Sequence, residues 1–233
     1  MATVLMVHGS FQGGWIWQPT AAVLRAMGHL VFAPTLEGCA ERVHALRAGI
    51  TVTVAAEELS ELMRYEDLSD VVLVGTSSGG MVAAKTAAMA KDRIKRVVFV
   101  DALVPQPGES TKEIVQRGDA DPYQVTEFSR GPTRHDLANR LFAELTGVQK
   151  EWVLERVTPH PHGLSDVTTE ELGDFWGDNW PDSAVIYCIQ SENPPEAHQR
   201  RTAEALGGRW IEMDAGHYPM LTHGEELARH IIG

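Results

Sequence analysis

Cysteine is scarce in this sequence. Among 233 residues there are two, Cys39 and Cys188, far apart and in no metal-ligand spacing. A disulfide scaffold is excluded, and two buried reduced thiols in a cytosolic protein are expected. Positive charge is also short, with 20 Lys and Arg against 32 Asp and Glu, a net charge of −12. Such a field repels phosphate backbones and anionic membranes, so neither nucleic acid nor membrane is expected as a partner. No apolar run approaches the ~18 residues of a membrane span. The N-terminus lacks a charged region and enters a strand pattern at once at Thr3-Val4-Leu5-Met6-Val7, unlike a signal peptide, which gives a cytoplasmic expectation. Repeats and low-complexity segments are missing too. What remains is a composition with 43% hydrophobic and 22% charged residues, enough for a sizeable core. One domain over residues 1–233 is expected.

Short β-branched runs at residues 3–7, 29–33, 71–75, 96–101, 184–189 and 209–213 lack polar alternation. That is how strands covered on both faces of a parallel sheet read. Between them, residues 15–27, 53–65, 79–91, 195–206 and 225–232 carry apolar side chains at helical spacing. Strand–helix alternation predicts a doubly wound, mostly parallel α/β sheet. Residues from about 105 to 180 break this rhythm, with no strand pattern and helical pieces at 136–145 and 149–157. So long an interval is a poor bare loop, and a helical cap over the C-terminal edge of the sheet is expected.

Gly75-Thr76-Ser77-Ser78-Gly79 follows the buried run Val71-Val72-Leu73-Val74 and leads directly into a helix. Strand, Gly-x-Ser-x-Gly and helix together are the context of a nucleophile elbow, with Ser77 on a strained turn above a helix N-terminus. A serine hydroxyl needs a base. His217 is the best placed of ten histidines, since it follows the last strand in a loop marked by Gly216 and Pro219. After the first strand comes His8-Gly9-Ser10-Phe11-Gln12-Gly13-Gly14-Trp15. Its glycines allow a sharp turn that could aim the Ser10 amide at an oxyanion, with the Ser78 amide as second donor. His8 reads as a buried hydrogen-bonding residue behind that loop. The run lacks the endings of a phosphate cradle, and no His, Cys or carboxylate cluster has ligand spacing, so neither cofactor nor metal is expected.

These segments resemble bacterial α/β-hydrolases related to plant methyl-salicylate esterases and hydroxynitrile lyases. The likeness runs through Val7 to Trp17, Ala33-Pro34-Thr35-Leu36-Glu37-Gly38, Glu41-Arg42, the elbow, Val100-Asp101-Ala102-Leu103-Val104-Pro105 and the His217 loop. It implies the α/β-hydrolase fold, trimmed at its N-terminal end, with the cap inserted after the sixth-strand equivalent. It also implies Ser77 as nucleophile, His217 as base and the Ser10 and Ser78 amides as oxyanion hole. Two departures stand out. Thr76 precedes the nucleophile where the family has His or another larger residue. The family's acid position, in a pattern like Cys-Thr-x-Asp, falls here on Ser191 in Cys188-Ile189-Gln190-Ser191-Glu192.

Three readings of the acid stay open: Asp101 at the end of its strand, Glu192 one residue along, or no acid and a Ser–His dyad. Phe11, Trp15, Trp176 and Trp180 are candidates for the substrate pocket, though the tryptophans could equally pack the cap onto the sheet, as could Trp17 and Phe175. The expected activity is hydrolysis of a small carboxylic ester or lactone with an apolar or aromatic part. The alternatives are a hydroxynitrile-lyase-like C–C lyase, for which no lysine can be placed in the site from sequence, and a non-catalytic small-molecule-binding protein. A homodimer stays open.

Overall fold

Six apolar runs become six parallel strands, and their side chains divide by parity. The computed structural model describes residues 1–115, 118–165, 167 and 171–233. The first half runs β1 (Thr3–Val7), α1 (Gln18–Ala26), β2 (Leu30–Phe32), α2 (Val52–Tyr65), β3 (Val71–Ser77), α3 (Gly79–Met89) and β4 (Ile94–Ala102). An inserted segment follows, with α4 (Thr111–Ile114), β5 (Gln124–Val125), β6 (Ser129–Gly131), α5 (Arg134–Asp136), α6 (Gly147–Leu154), β7 (His160–Pro161) and α7 (Gly173–Trp176). The chain closes with β8 (Ser183–Cys188), α8 (Glu196–Leu206), β9 (Arg209–Met213), α9 (Pro219–Thr222) and α10 (Gly224–Ile232).

The main sheet has the order β2-β1-β3-β4-β8-β9, and every neighbouring pair is parallel. Successive side chains point to opposite faces, so each strand feeds two cores. Leu5, Leu73, Val97, Phe99 and Val185 pack with α2 and α3 on one face. Val4, Met6, Val72, Val74, Val98, Val100 and Ile186 pack with α1 and α10 on the other. This is the doubly wound arrangement expected from the sequence. Helix α2 starts at Thr51, whose Oγ1 accepts from Val54 N at 3.2 Å, and α8 stops at Gly207 in the left-handed region at φ +60°.

The inserted segment differs from its expectation. Residues 116, 117, 166 and 168–170 of the expected cap interval lie outside the described residues. The helical pieces are present, as α5 continued by a π-turn over Leu137–Leu141 and as α6. Before and after them, however, β5, β6 and β7 form a three-stranded antiparallel sheet. Strands two or three residues long write no period-two pattern, and β7 includes Pro161, which sequence reasoning confines to sheet edges. The strandless reading of this interval is corrected accordingly.

Candidate active site

Ser77 ends β3 at φ +50°, in the left-handed region that a non-glycine residue occupies only when its surroundings impose it. Its surroundings do. A side chain at Gly9 would place its Cβ 2.6 Å from Ser77 Cβ, and one at Gly79 would lie 2.4 Å from the His8 carbonyl oxygen. Glycine at both positions lets the β1 loop close onto the elbow. The loop is welded from behind by His8, fully buried, whose Nδ1–H donates to Gly9 O at 2.9 Å while Nε2 accepts from Leu36 N at 3.0 Å. Burial pushes its pKa down to about 4, so it is a neutral structural group, as the sequence suggested. Ser10 and Ser78 meet through their hydroxyls at 2.8 Å. Their amides donate to no backbone carbonyl among the described residues.

Asp101 owes its direction to a bulge. In the β3–β4 ladder Thr76 pairs with Val100 but Ser77 pairs with Ala102, so Asp101 is skipped. It adopts φ +45°, and the extra residue turns its carboxylate out of the ladder. Asp101 is fully buried. Its Oδ2 accepts from His217 Nδ1 at 2.5 Å, and its Oδ1 accepts from Gln199 Nε2 at 2.6 Å. Gln199, on α8, also donates to Pro194 O at 2.9 Å and so fixes the carboxylate against the following loop. With Nδ1 donating to a carboxylate, Nε2 of His217 is left as the acceptor.

Ser77, Ser78, Ser10, Phe11 and His217 line one cavity of about 510 Å³. Leu103, Val115, Tyr123, Leu141 and Pro194 make much of its wall apolar. Three basic residues also reach it. Arg140 is held by Asp136 at 2.7 and 2.6 Å, Arg130 lies over the Tyr123 ring at 5.2 Å, and Lys112 stands exposed on α4. The sequence placed no lysine at the site; Lys112 borders this cavity.

Other expected site residues lie elsewhere. Glu192 is exposed, and His217 Nδ1 turns to Asp101 instead. Trp15 does not line the cavity; it meets Trp152 edge-on at 5.2 Å and borders a separate polar hollow of about 340 Å³. Trp176 Nε1 donates to Pro105 O at 2.7 Å, and Trp180 Nε1 donates to Phe175 O at 2.9 Å while its ring stacks on Phe175. Both tryptophans seal the end of the inserted segment onto the sheet, which is the packing alternative, because rings that large need an apolar seam and one polar partner. Cys39 and Cys188 are free and buried. Burial raises both thiols, Cys39 to about 12, against reactivity. Among the described residues no group of three His, Cys, Asp or Glu could hold a metal ion, and no helix is long and apolar enough to cross a membrane. Gln199 and Glu144, which accepts from Tyr218 N at 2.9 Å, are site residues that sequence reasoning missed. Neither lies in a motif, and no signal in a single sequence marks them.

A parallel sheet with a serine on a left-handed turn, and a carboxylate-bound imidazole lining the same cavity, defines a nucleophile-elbow hydrolase scaffold. The chain belongs to the alpha/beta hydrolase family, whose profile matches residues 4–230. It is 33% identical over 168 residues to a carbendazim hydrolyzing esterase of Nocardioides sp. (strain SG-4G), covering 68% of this chain and 69% of that protein. It is 30% identical over 243 residues to methylesterase 8 of Arabidopsis thaliana, covering 98% and 87%. Among solved structures, an extracellular alpha/beta-hydrolase from a Paenibacillus species superposes with a TM-score of 0.82 at 21% identity, over 100% of this chain and 98% of that one. Relatives named esterases support ester hydrolysis at the level of the family.

Proposed function

We propose that the protein hydrolyses a small carboxylic ester or lactone through an acyl-enzyme on Ser77. The observation that carries this reading is the 2.5 Å bond from His217 Nδ1 to buried Asp101, on the wall of the cavity that Ser77 also lines. His217 Nε2 takes the Ser77 proton as Oγ attacks the ester carbonyl, and Asp101 stabilises the imidazolium. The amides of Ser10 and Ser78 receive the oxyanion. The imidazolium then protonates the departing alcohol, and water deprotonated by the same nitrogen releases the acid. The apolar wall favours a substrate with an apolar or aromatic part.

Turnover of p-nitrophenyl butyrate by the native chain and by Ser77→Ala tests this. The expected result is a loss of about 10³-fold or more in the variant; equal rates would end the reading. Lys112 at the cavity gives the lyase alternative a residue it otherwise lacks. Cyanide release from mandelonitrile without ester turnover would favour that alternative.

A further inference from the structure

Glu144 lies just beyond the π-turn of the inserted segment. It stands at the surface with its carboxylate turned inward onto the His217 loop. One oxygen, Oε1, accepts from the Tyr218 amide at 2.9 Å. The other lies against Gly216, where a Cβ would come within 1.5 Å of Oε2 and 2.5 Å of the carboxyl carbon. Gly216 is thus the socket for this carboxylate. No positive φ requires glycine at that position, so the space it leaves is its use. The imidazole is held from two sides: Asp101 holds its Nδ1 from the sheet, and Glu144 holds the amide of the next residue, Tyr218, from the insertion.

We propose that Glu144 is a positioning residue, seated in the Gly216 socket, that fastens the His217 loop to the inserted segment and sets the reach of the imidazole toward Ser77. The proposal rests on the Ser77–His217 hydrolytic reading. Glu144 touches none of the reacting atoms and acts through the backbone of residues 216–218. Partial enclosure raises its carboxyl above the ordinary carboxylate range, and the Tyr218 amide, the His217 ring and the His217 amide offset only part of that rise. Asp101, Tyr218, Arg140, Cys188 and Asp214 are the other titratable or charged groups around this loop, and Arg140 is engaged by Asp136 and Asp214 by Gln190.

The test is steady-state kinetics on p-nitrophenyl butyrate with Glu144→Ala, Glu144→Gln, Gly216→Ala and the Glu144→Ala/Gly216→Ala double variant, alongside thermal melts. Glu144→Ala should lower kcat about tenfold with KM within about twofold, since displacing a reacting group without touching substrate slows the chemical step. Glu144→Gln keeps the shape and one acceptor oxygen, and should recover part of the loss. Gly216→Ala evicts the carboxylate and should match Glu144→Ala. The double variant should be no slower than the slower single one, because both exchanges break the same contact. An unchanged kcat in Glu144→Ala, a loss confined to KM, or losses that multiply in the double variant would each overturn the proposal. If Glu144→Ala fails to fold, Glu144→Gln and Gly216→Ala decide by the same criteria. Native activity that Ser77→Ala abolishes, with Glu144→Ala unimpaired, would refute this role alone; equal activity in native and Ser77→Ala protein would refute the underlying hydrolysis.

Discussion

Asp101 has two carboxylate oxygens and two donors, and that arithmetic decides what a one-atom exchange does. Gln199 Nε2 occupies Oδ1 and His217 Nδ1 occupies Oδ2. In Asp101→Asn the single amide oxygen pairs with Gln199, which can only donate through Nε2, and the NH₂ group turns to His217. Nδ1 must then accept, the ring proton moves to Nε2, and the nitrogen assigned to take the Ser77 proton is no longer a base. On the proposed mechanism kcat should fall by about 10³–10⁴-fold, as expected for a wrong tautomer in a triad. Glu192→Ala should stay within about twofold, since an exposed side chain that does not reach the imidazole contributes little. Comparable losses in the two variants would contradict this assignment of the acid. The kinetics need only the same ester assay, and urea denaturation would show whether Asp101→Asn remains folded.

The elbow as an element depends on how closely the end of β1 approaches the start of α3. A methyl at Gly79 would lie 2.4 Å from His8 O and 2.7 Å from Val7 O, and both are backbone atoms with no rotamer to swing away. Gly79→Ala should therefore cost about 3 kcal/mol in urea denaturation, at the upper end of ordinary overpacking. Gly173→Ala, with nothing within 4 Å of the added carbon, should stay within about 0.5 kcal/mol. A similar cost at both sites would mean that loss of glycine flexibility, rather than close approach, sets the effect. The same contrast between local pattern and three-dimensional approach explains what could be read in advance. The main sheet and its helices were legible because strands buried on both faces are uninterrupted apolar runs; even the short β2, Leu30–Phe32, falls within its expected interval. The elbow was legible because its glycines, serine and flanking strand are contiguous. The position of Asp101 was legible only as one alternative, because its selection comes from a bulge between β3 and β4 that neither strand announces by itself. For Trp15, Trp176 and Trp180 two placements stayed open for a related reason: sequence shows that a large ring will be enclosed, but not whether by substrate or by protein. Glu144 was invisible, since its partner loop lies more than 70 residues away.

Across the whole molecule, three histidines are enclosed where they cannot easily ionise. His8, His160 and His198 are at most 2% exposed. Burial holds their pKa values near 4, 3 and 4, against an ordinary 6.5. In the unfolded chain they protonate below pH 6.5, whereas in the folded one they stay neutral until pH about 4 or lower. Unfolding therefore takes up protons throughout that window, and the stability present above pH 6.5 is lost as the pH falls through it. Each fully developed proton is worth about 1.4 kcal/mol per pH unit, so the three together approach about 4 kcal/mol per pH unit near pH 5. Acidification also brings a chain of net charge −12 toward its isoelectric point near 5.2, which relieves self-repulsion and acts in the opposite direction. Repulsion among surface charges is screened by salt, while buried imidazoles are not, so the histidine effect should dominate at 0.15 M salt. Urea denaturation from pH 7.5 to 5 should show a steepening loss of stability. His160→Leu should remove about a third of that slope, because the three residues carry one proton each. His160 is the suitable site for this exchange: its polar contacts are few, with Nδ1 3.6 Å from Cys39 Sγ and the ring against the Leu164 backbone. A stability that is flat or rising down to pH 5, or a slope untouched by His160→Leu, would show that relief of net charge, not the buried imidazoles, governs the acid response.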